Sequence, residues 1–87
     1  MFIILVYDVG EKRVAKALKK CRQYLNWVQN SVFEGEISVA NLTKLKLELG
    51  KIINTKEDSV IIYHLRTTKY YKREILGIER QTITNIL

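Results

Sequence analysis

Residues 2 to 8 are a continuous β-branched and aromatic run that ends on an acid, the mark of a central strand covered on both faces. Gly10 breaks the run. From Glu11 to about Leu25 the period changes, and Val14, Leu18, Cys21 and Leu25 recur at i, i+4, i+7 and i+11 as one apolar stripe. Lys12, Arg13, Lys16, Lys19 and Lys20 fill the opposite side, which predicts a helix starting just after Asp8. Trp27 to Ile37 is β-prone with Gly35 inside it, and either a hairpin or a bent strand fits. Ser38 is placed to cap a second helix from about Val39 to Ile53, with Leu42, Leu45, Leu49, Ile52 and Ile53 inward. Gly50 weakens that helix by roughly 1 kcal/mol relative to alanine.

Asn54 to Glu57 reads as a polar turn and Val60 to Leu65 as a dense buried strand. Arg66 to Lys69 is a basic loop, Tyr70 to Leu76 a further strand, Gly77 a break and Thr82 to Leu87 a short β-prone tail. The order is β-α-β(β)-α-β with one or two extra strands. That order predicts an α+β, ferredoxin-like βαββαβ sandwich, with two helices on one face of an antiparallel sheet. Apolar residues on the other face would need a partner subunit or nucleic acid to cover them.

The chain has 87 residues and no proline, linker or repeat, so a single domain over 1–87 is expected, within the usual range of about 100 to 150 residues or below it. A domain this small buries only about 60 to 65% of its unfolded surface, and dimerisation is a natural way to bury more. The lone Cys21 excludes an internal disulfide and a Cys-based zinc site, which fits a reducing, cytoplasmic setting. It lies on the apolar stripe, which argues against a reactive thiol. The opening apolar run reaches Asp8 too soon for a signal peptide or membrane span. Fifteen Lys and Arg against nine Asp and Glu give a net charge of +6. Such a balance favours polyanionic partners, because each neutralised phosphate releases condensed counterions; a solvated, Lys-rich surface has the same composition.

Aspartate occurs only at positions 8 and 58. An acid ending a buried strand is costly unless paired, hydrogen-bonded or bound to a cation. Asp8 therefore has two readings, a cap for the first helix or a metal ligand. One carboxylate holds Mg²⁺ poorly, since the ion takes six oxygen ligands and usually one or two carboxylates with water and phosphate. Two subunits meeting near Asp8 would supply a pair. Asp58 follows a polar turn, and turn chemistry accounts for it. Glu34 and Glu36 read as solvated edge charges, with a metal-supporting role as the alternative. His64 is the single histidine and reads as a sheet residue.

Arg13, Lys16 and Lys20 align at i, i+3 and i+7 and are the leading phosphate contacts. Tyr70 and Tyr71 amid Lys69, Lys72 and Arg73 suit either base stacking or a strand protected by basic edges. No Gly-rich phosphate loop, GxSxG motif or His/Cys cluster is present, which disfavours nucleotide hydrolysis, serine acyl transfer and zinc chemistry.

Four segments together resemble a known family: Ile4-Leu5-Val6-Tyr7-Asp8-Val9; Lys12-Arg13 with Lys16; Trp27-Val28-Gln29-Asn30-Ser31-Val32-Phe33-Glu34-Gly35-Glu36; and Asp58-Ser59-Val60-Ile61-Ile62-Tyr63. They resemble the Cas-two family, the small CRISPR-associated protein of the spacer-acquisition complex. The resemblance runs through Leu76-Gly77 to Asn85-Ile86-Leu87, and VQxSVFEG is its most specific segment. It implies a homodimer whose C-terminal strand, about 80–87 here, is exchanged with the partner subunit. It implies a Mg²⁺ site shared across the dimer interface and built from Asp8 of each subunit. It carries over Tyr7, Asp8, Arg13, Ser31 and Phe33: Asp8 as metal ligand, Arg13 as a phosphate or transition-state contact, Ser31 and Phe33 as shapers of the interface or cleft. Gly10-Glu11-Lys12-Arg13 departs from the double arginine of many members, and lysine lacks the bidentate guanidinium fork.

Three functions follow. The first is a metal-dependent endonuclease on single-stranded RNA or duplex DNA. The second is a basic dimeric scaffold that holds duplex DNA and docks the CRISPR integrase. The third, independent of the resemblance, is a non-catalytic ferredoxin-like RNA-binding module with stacking aromatics.

Overall fold

The computed structural model describes residues 1–65 and 71–78. Strand β1 (Phe2–Asp8) turns at Val9 and Gly10 into helix α1 (Glu11–Tyr24). A hairpin of β2 (Asn26–Gln29) and β3 (Val32–Glu36) leads to helix α2 (Val39–Ile52), then β4 (Ser59–Leu65) and β5 (Tyr71–Gly77). Among the described residues the strands make one sheet in the order β2-β3-β1-β4-β5, with every neighbouring pair antiparallel. The path through the first four strands is the ferredoxin-like one, and β5 extends it beside β4.

Asn30 decides the hairpin. It adopts φ 39° at the turn between β2 and β3, a left-handed conformation that asparagine tolerates better than most side chains. Gly35 lies inside β3 and is no hinge. In α2 the Ser38 side chain accepts the Asn41 amide at 3.1 Å, as the sequence predicts. Helix α1 ends at Tyr24, one residue early, because Leu25 is already extended while its amide still bonds the Cys21 carbonyl at 2.8 Å.

Both helices cover one face of the sheet. Ile3, Leu5 and Tyr7 from β1, Phe33 from β3, and Val60 and Ile62 from β4 meet Ala17 and Cys21 of α1 and Leu42, Leu45 and Leu49 of α2. Val14 and Leu18 of the expected stripe are only partly buried against this core, and the small Ala17 takes the fully buried position between them. Burial pushes the Cys21 thiol up to about 12, so it stays protonated and inert.

Alternation along β1 sends Phe2, Ile4, Val6 and Asp8 to the other face. There Val6, Ile61 and Tyr63 form a second cluster, with Ile4, Val32 and Ile75 partly buried against it and no helical residue in it. Val6, Ile61 and Tyr63 are already buried within one chain, so this face is less bare than a two-layer sandwich implies. Among the described residues no helix is long and apolar enough to cross a membrane. The expected basic loop at 66–69, Tyr70 and the tail at 82–87 lie outside the described residues.

Candidate functional site

The turn from β1 into α1 is held by an acid from the far side of the chain. Asp58, 1% exposed at the entry to β4, accepts Arg13 through both carboxylate oxygens, Nε to Oδ2 at 2.6 Å and Nη2 to Oδ1 at 2.9 Å. It also accepts the amides of Gly10 at 2.9 Å and Asn54 at 2.8 Å. The Arg13 guanidinium, helped by those two amides, outweighs desolvation and holds the Asp58 carboxyl well below the usual carboxylate range. The same pairing raises Arg13.

The Asp58 backbone is used as well. Its carbonyl accepts the Ile78 amide at 2.9 Å, just past Gly77. Gly77 sits at φ 88°, and a Cβ there would lie 2.0 Å from that carbonyl oxygen, so only glycine closes β5 onto β4 here. Asp58 thus joins the start of α1, the α2–β4 loop and the end of β5.

Asp8 sits at the same end of the sheet, on the neighbouring strand, and contrasts with it. It is exposed at the last position of β1, on the face without helices. The N-cap of α1 is Gly10, whose amide goes to Asp58. Capping therefore does not account for Asp8. Directly across the ladder stands Ser59, 0% exposed, whose Oγ has no hydrogen-bond partner among the described residues. The ladder thus sets a carboxylate and a buried hydroxyl on opposed positions, about 5 Å apart at their Cβ atoms.

The remaining candidates divide by burial. Ser31 is half-buried in the β2–β3 turn, where its carbonyl accepts the Tyr7 amide at 3.1 Å, one residue from Asp8. Phe33 is 0% exposed and packs under the helices with its ring centroid 5.8 Å from that of Tyr7. Its alternation in β3 sends it into the core, so any influence on an interface or cleft passes through its packing on Tyr7. Lys16 is exposed, while Lys20 pairs with Glu48 at 2.9 Å. Arg13 also reaches Glu57 at 3.0 Å, so Nε and Nη2 are engaged and Nη1 alone makes no hydrogen bond among the described residues. Among the described residues no group of three or more His, Cys, Asp and Glu side chains could hold a metal ion.

A model of the CRISPR-associated protein Cas2 family matches residues 1–73. The chain belongs to the Cas2 family. It is 54% identical over 87 residues to the CRISPR-associated endoribonuclease Cas2 of Dictyoglomus turgidum, covering 100% of both chains. It is 55% identical over 80 residues to the protein of the same name from Thermotoga maritima, covering 92% of each. A solved crystal structure of a Cas2 superposes with TM-score 0.74 at 40% identity, covering 93% of this chain and 91% of that one.

In this Cas2-family chain, the sequence singles out Asp8 and passes over Asp58 and Ser59. The dipeptide Asp58-Ser59 stands in the resembling segment, but apart from the Asn54 amide its partners come from β1, the Gly10 turn and α1. Nothing local announces them. Arg13 was read as a phosphate contact, and the structure gives it intramolecular partners that fix the α1 start.

Proposed function

We propose that the protein is a cytoplasmic CRISPR-associated endoribonuclease that works as a homodimer, with Asp8 as the functional carboxylate of each subunit. One observation carries this reading. Of the two aspartates, Asp58 is buried and saturated by four hydrogen bonds, whereas Asp8 is exposed beside the buried oxygen of Ser59 on the helix-free face. The relatives from Dictyoglomus turgidum and Thermotoga maritima carry the name endoribonuclease, which supports RNA as the substrate.

A divalent cation fits this end of the sheet only in part within one chain, since Asp8 and Ser59 supply two oxygen side chains where Mg²⁺ takes six ligands. A second copy meeting the same face would add its own Asp8, in keeping with the two-fold symmetry of most homodimers. Ile4, Val32 and Ile75, partly buried on that face, would be covered in the same contact. Such an ion would supply charge neutralisation at a phosphoryl group undergoing hydrolysis. The chain's own groups have distinct tasks. Asp8 would hold the ion, Arg13 fixes the turn behind it through Asp58, and the Ser31 carbonyl fixes Tyr7 next to Asp8. Phe33 acts only through packing on Tyr7.

The test is cleavage of single-stranded RNA and duplex DNA by purified protein with and without Mg²⁺, wild type beside Asp8→Ala. Mg²⁺-dependent RNA cleavage that falls at least about 100-fold in the variant is expected, since even outer partners of a metal carry 10- to 100-fold. Unchanged, metal-dependent cleavage by Asp8→Ala overturns the site.

A second reading is a DNA-holding scaffold for the CRISPR integrase, in which duplex binding and partner docking matter and Asp8 does not. It is favoured by the +6 charge and by Lys12 and Lys16, exposed on the outside of α1. Steeply salt-dependent duplex binding, unaffected by Asp8→Ala, is its signature.

A further inference from the structure

The sole tryptophan of the chain stands on the outermost strand. Trp27 is 50% exposed on β2, an edge strand whose four residues are all exposed. Its indole is nonetheless fixed. Nε1–H donates to the carbonyl of Asn30, the left-handed residue of the turn, at 2.8 Å. Arg22, in the last turn of α1, places its guanidinium carbon 5.8 Å from the ring centroid. A large apolar ring held rigid and left in water at an edge needs a reason, because the core does not use it.

A row of unpaired cations leads up to it. Lys12, Lys16 and Lys19 are exposed, follow one another at i, i+4 and i+7 on α1, and make no ion pair among the described residues. Arg22 continues the row. From Lys12 to Arg22 the helix advances about 15 Å, in steps of roughly 4.5 to 6 Å, a spacing suited to successive phosphates of an extended strand. A cavity of about 300 Å³ lined by Lys16, Lys19, Lys20, Gln23 and Ile52 lies midway along it.

We infer that the outer face of α1 is a track for single-stranded RNA, with phosphates on Lys12, Lys16 and Lys19 and one unpaired base stacked on Trp27 beside Arg22. This rests on the reading of the protein as a nucleic-acid-binding ribonuclease and adds to it where the strand runs. A row of cations alone would suit a duplex equally. The fixed indole decides for a single strand, since only an unpaired base offers its face to an aromatic platform. RNA is the occupant because the relatives are named for its cleavage.

Because Trp27 is the only tryptophan, its fluorescence reads this site alone. Purified full-length protein is titrated, under chelation, with an end-labelled unstructured RNA of roughly a dozen nucleotides, within the site sizes of single-strand binders. Label anisotropy reports binding, and indole fluorescence reports stacking. The expected result is quenching that saturates together with anisotropy for single-stranded RNA, and binding without quenching for the matched duplex. Trp27→Ala should weaken single-strand binding roughly 5- to 150-fold with duplex binding unchanged, the range of one base stack, while Trp27→Phe keeps most of the affinity. Lys16→Ala with Lys19→Ala should lower the salt slope of binding by about 1.4. RNA binding with unchanged indole emission and unchanged affinity in Trp27→Ala overturns the track and leaves the ribonuclease reading standing. Equal quenching by single-stranded DNA overturns the choice of RNA. An absence of any anisotropy change with any nucleic acid overturns both.

Discussion

The two aspartate regions share one end of the sheet and have opposite fates. Around Asp58 every carboxylate lone-pair direction is used, by Arg13 twice and by the Gly10 and Asn54 amides, and the side chain is 1% exposed. Around Asp8, across one strand spacing, the carboxylate is exposed on the face without helices. The difference teaches that position at a strand end does not assign a role. A buried acid that has consumed its hydrogen-bonding capacity inside the chain is spent on folding, whereas an exposed one on a rigid strand can be reached from solvent. The rigidity of the second region depends on the first, because Asp58 anchors the turn into which Asp8 leads.

The largest expected effect breaks the Asp58 region. Asp58→Ala leaves Arg13 and two amides without their acceptor and should cost about 3 to 5 kcal/mol, read by urea unfolding. The loss should also depend on pH. The folded pKa of Asp58 lies below its unfolded value of about 3.9, so its stabilisation is full above that value and is lost as pH falls toward the folded one. Wild-type stability should therefore decline below about pH 4 more steeply than that of Asp58→Asn, whose side chain does not titrate.

A smaller effect is expected where Gly77 closes β5 over the Asp58 carbonyl. Gly77→Ala forces a positive φ on a side chain and a clash with backbone at 2.0 Å, and should lower stability by roughly 1 to 3 kcal/mol in the same unfolding measurement. Asp8→Ala tests the other side of the comparison. Thermal unfolding should change by less than about 1 kcal/mol, because the residue is exposed, even as cleavage is lost. A large destabilisation would mean that Asp8 is a second structural acid.

The smallest effect sharpens the boundary of the Asp58 region. Glu57 is paired to the same guanidinium at 3.0 Å, but its side chain is 65% exposed. Glu57→Gln should cost no more than about 0.5 kcal/mol, and that little should vanish in high salt. Equal costs at Glu57 and Asp58 would show that burial is not what separates them.

How much of this was legible without the tertiary structure can be judged residue by residue. The run at 2–8, the Ser38 cap and the leucines of α2 appear where periodicity predicts them, because each is set by neighbours within a few positions. Ala17 was missed as a core residue, because a small side chain becomes central only where another element packs closely on it. Trp27 stands in a β-prone segment and in a stretch of the family resemblance, neither of which assigns its side chain a role. Its exposure follows from β2 being an edge strand, and strand order is not a local property. The capping reading of Asp8 failed for a related reason: the acceptor for the Gly10 amide comes from 48 residues away.

By itself the sequence determined the alternation of strands and helices, the ferredoxin-like order, the basic balance and the resemblance that singled out Asp8. Hydrophobic period and turn chemistry are local, and they survive in one dimension. Only the tertiary structure decided that Asp58 is the buried anchor, that Arg13 is its partner, that Ser59 faces Asp8 and that Trp27 stands exposed at the edge. Those roles arise from which strands become neighbours and which face the helices cover, a choice made by the packing of the whole core.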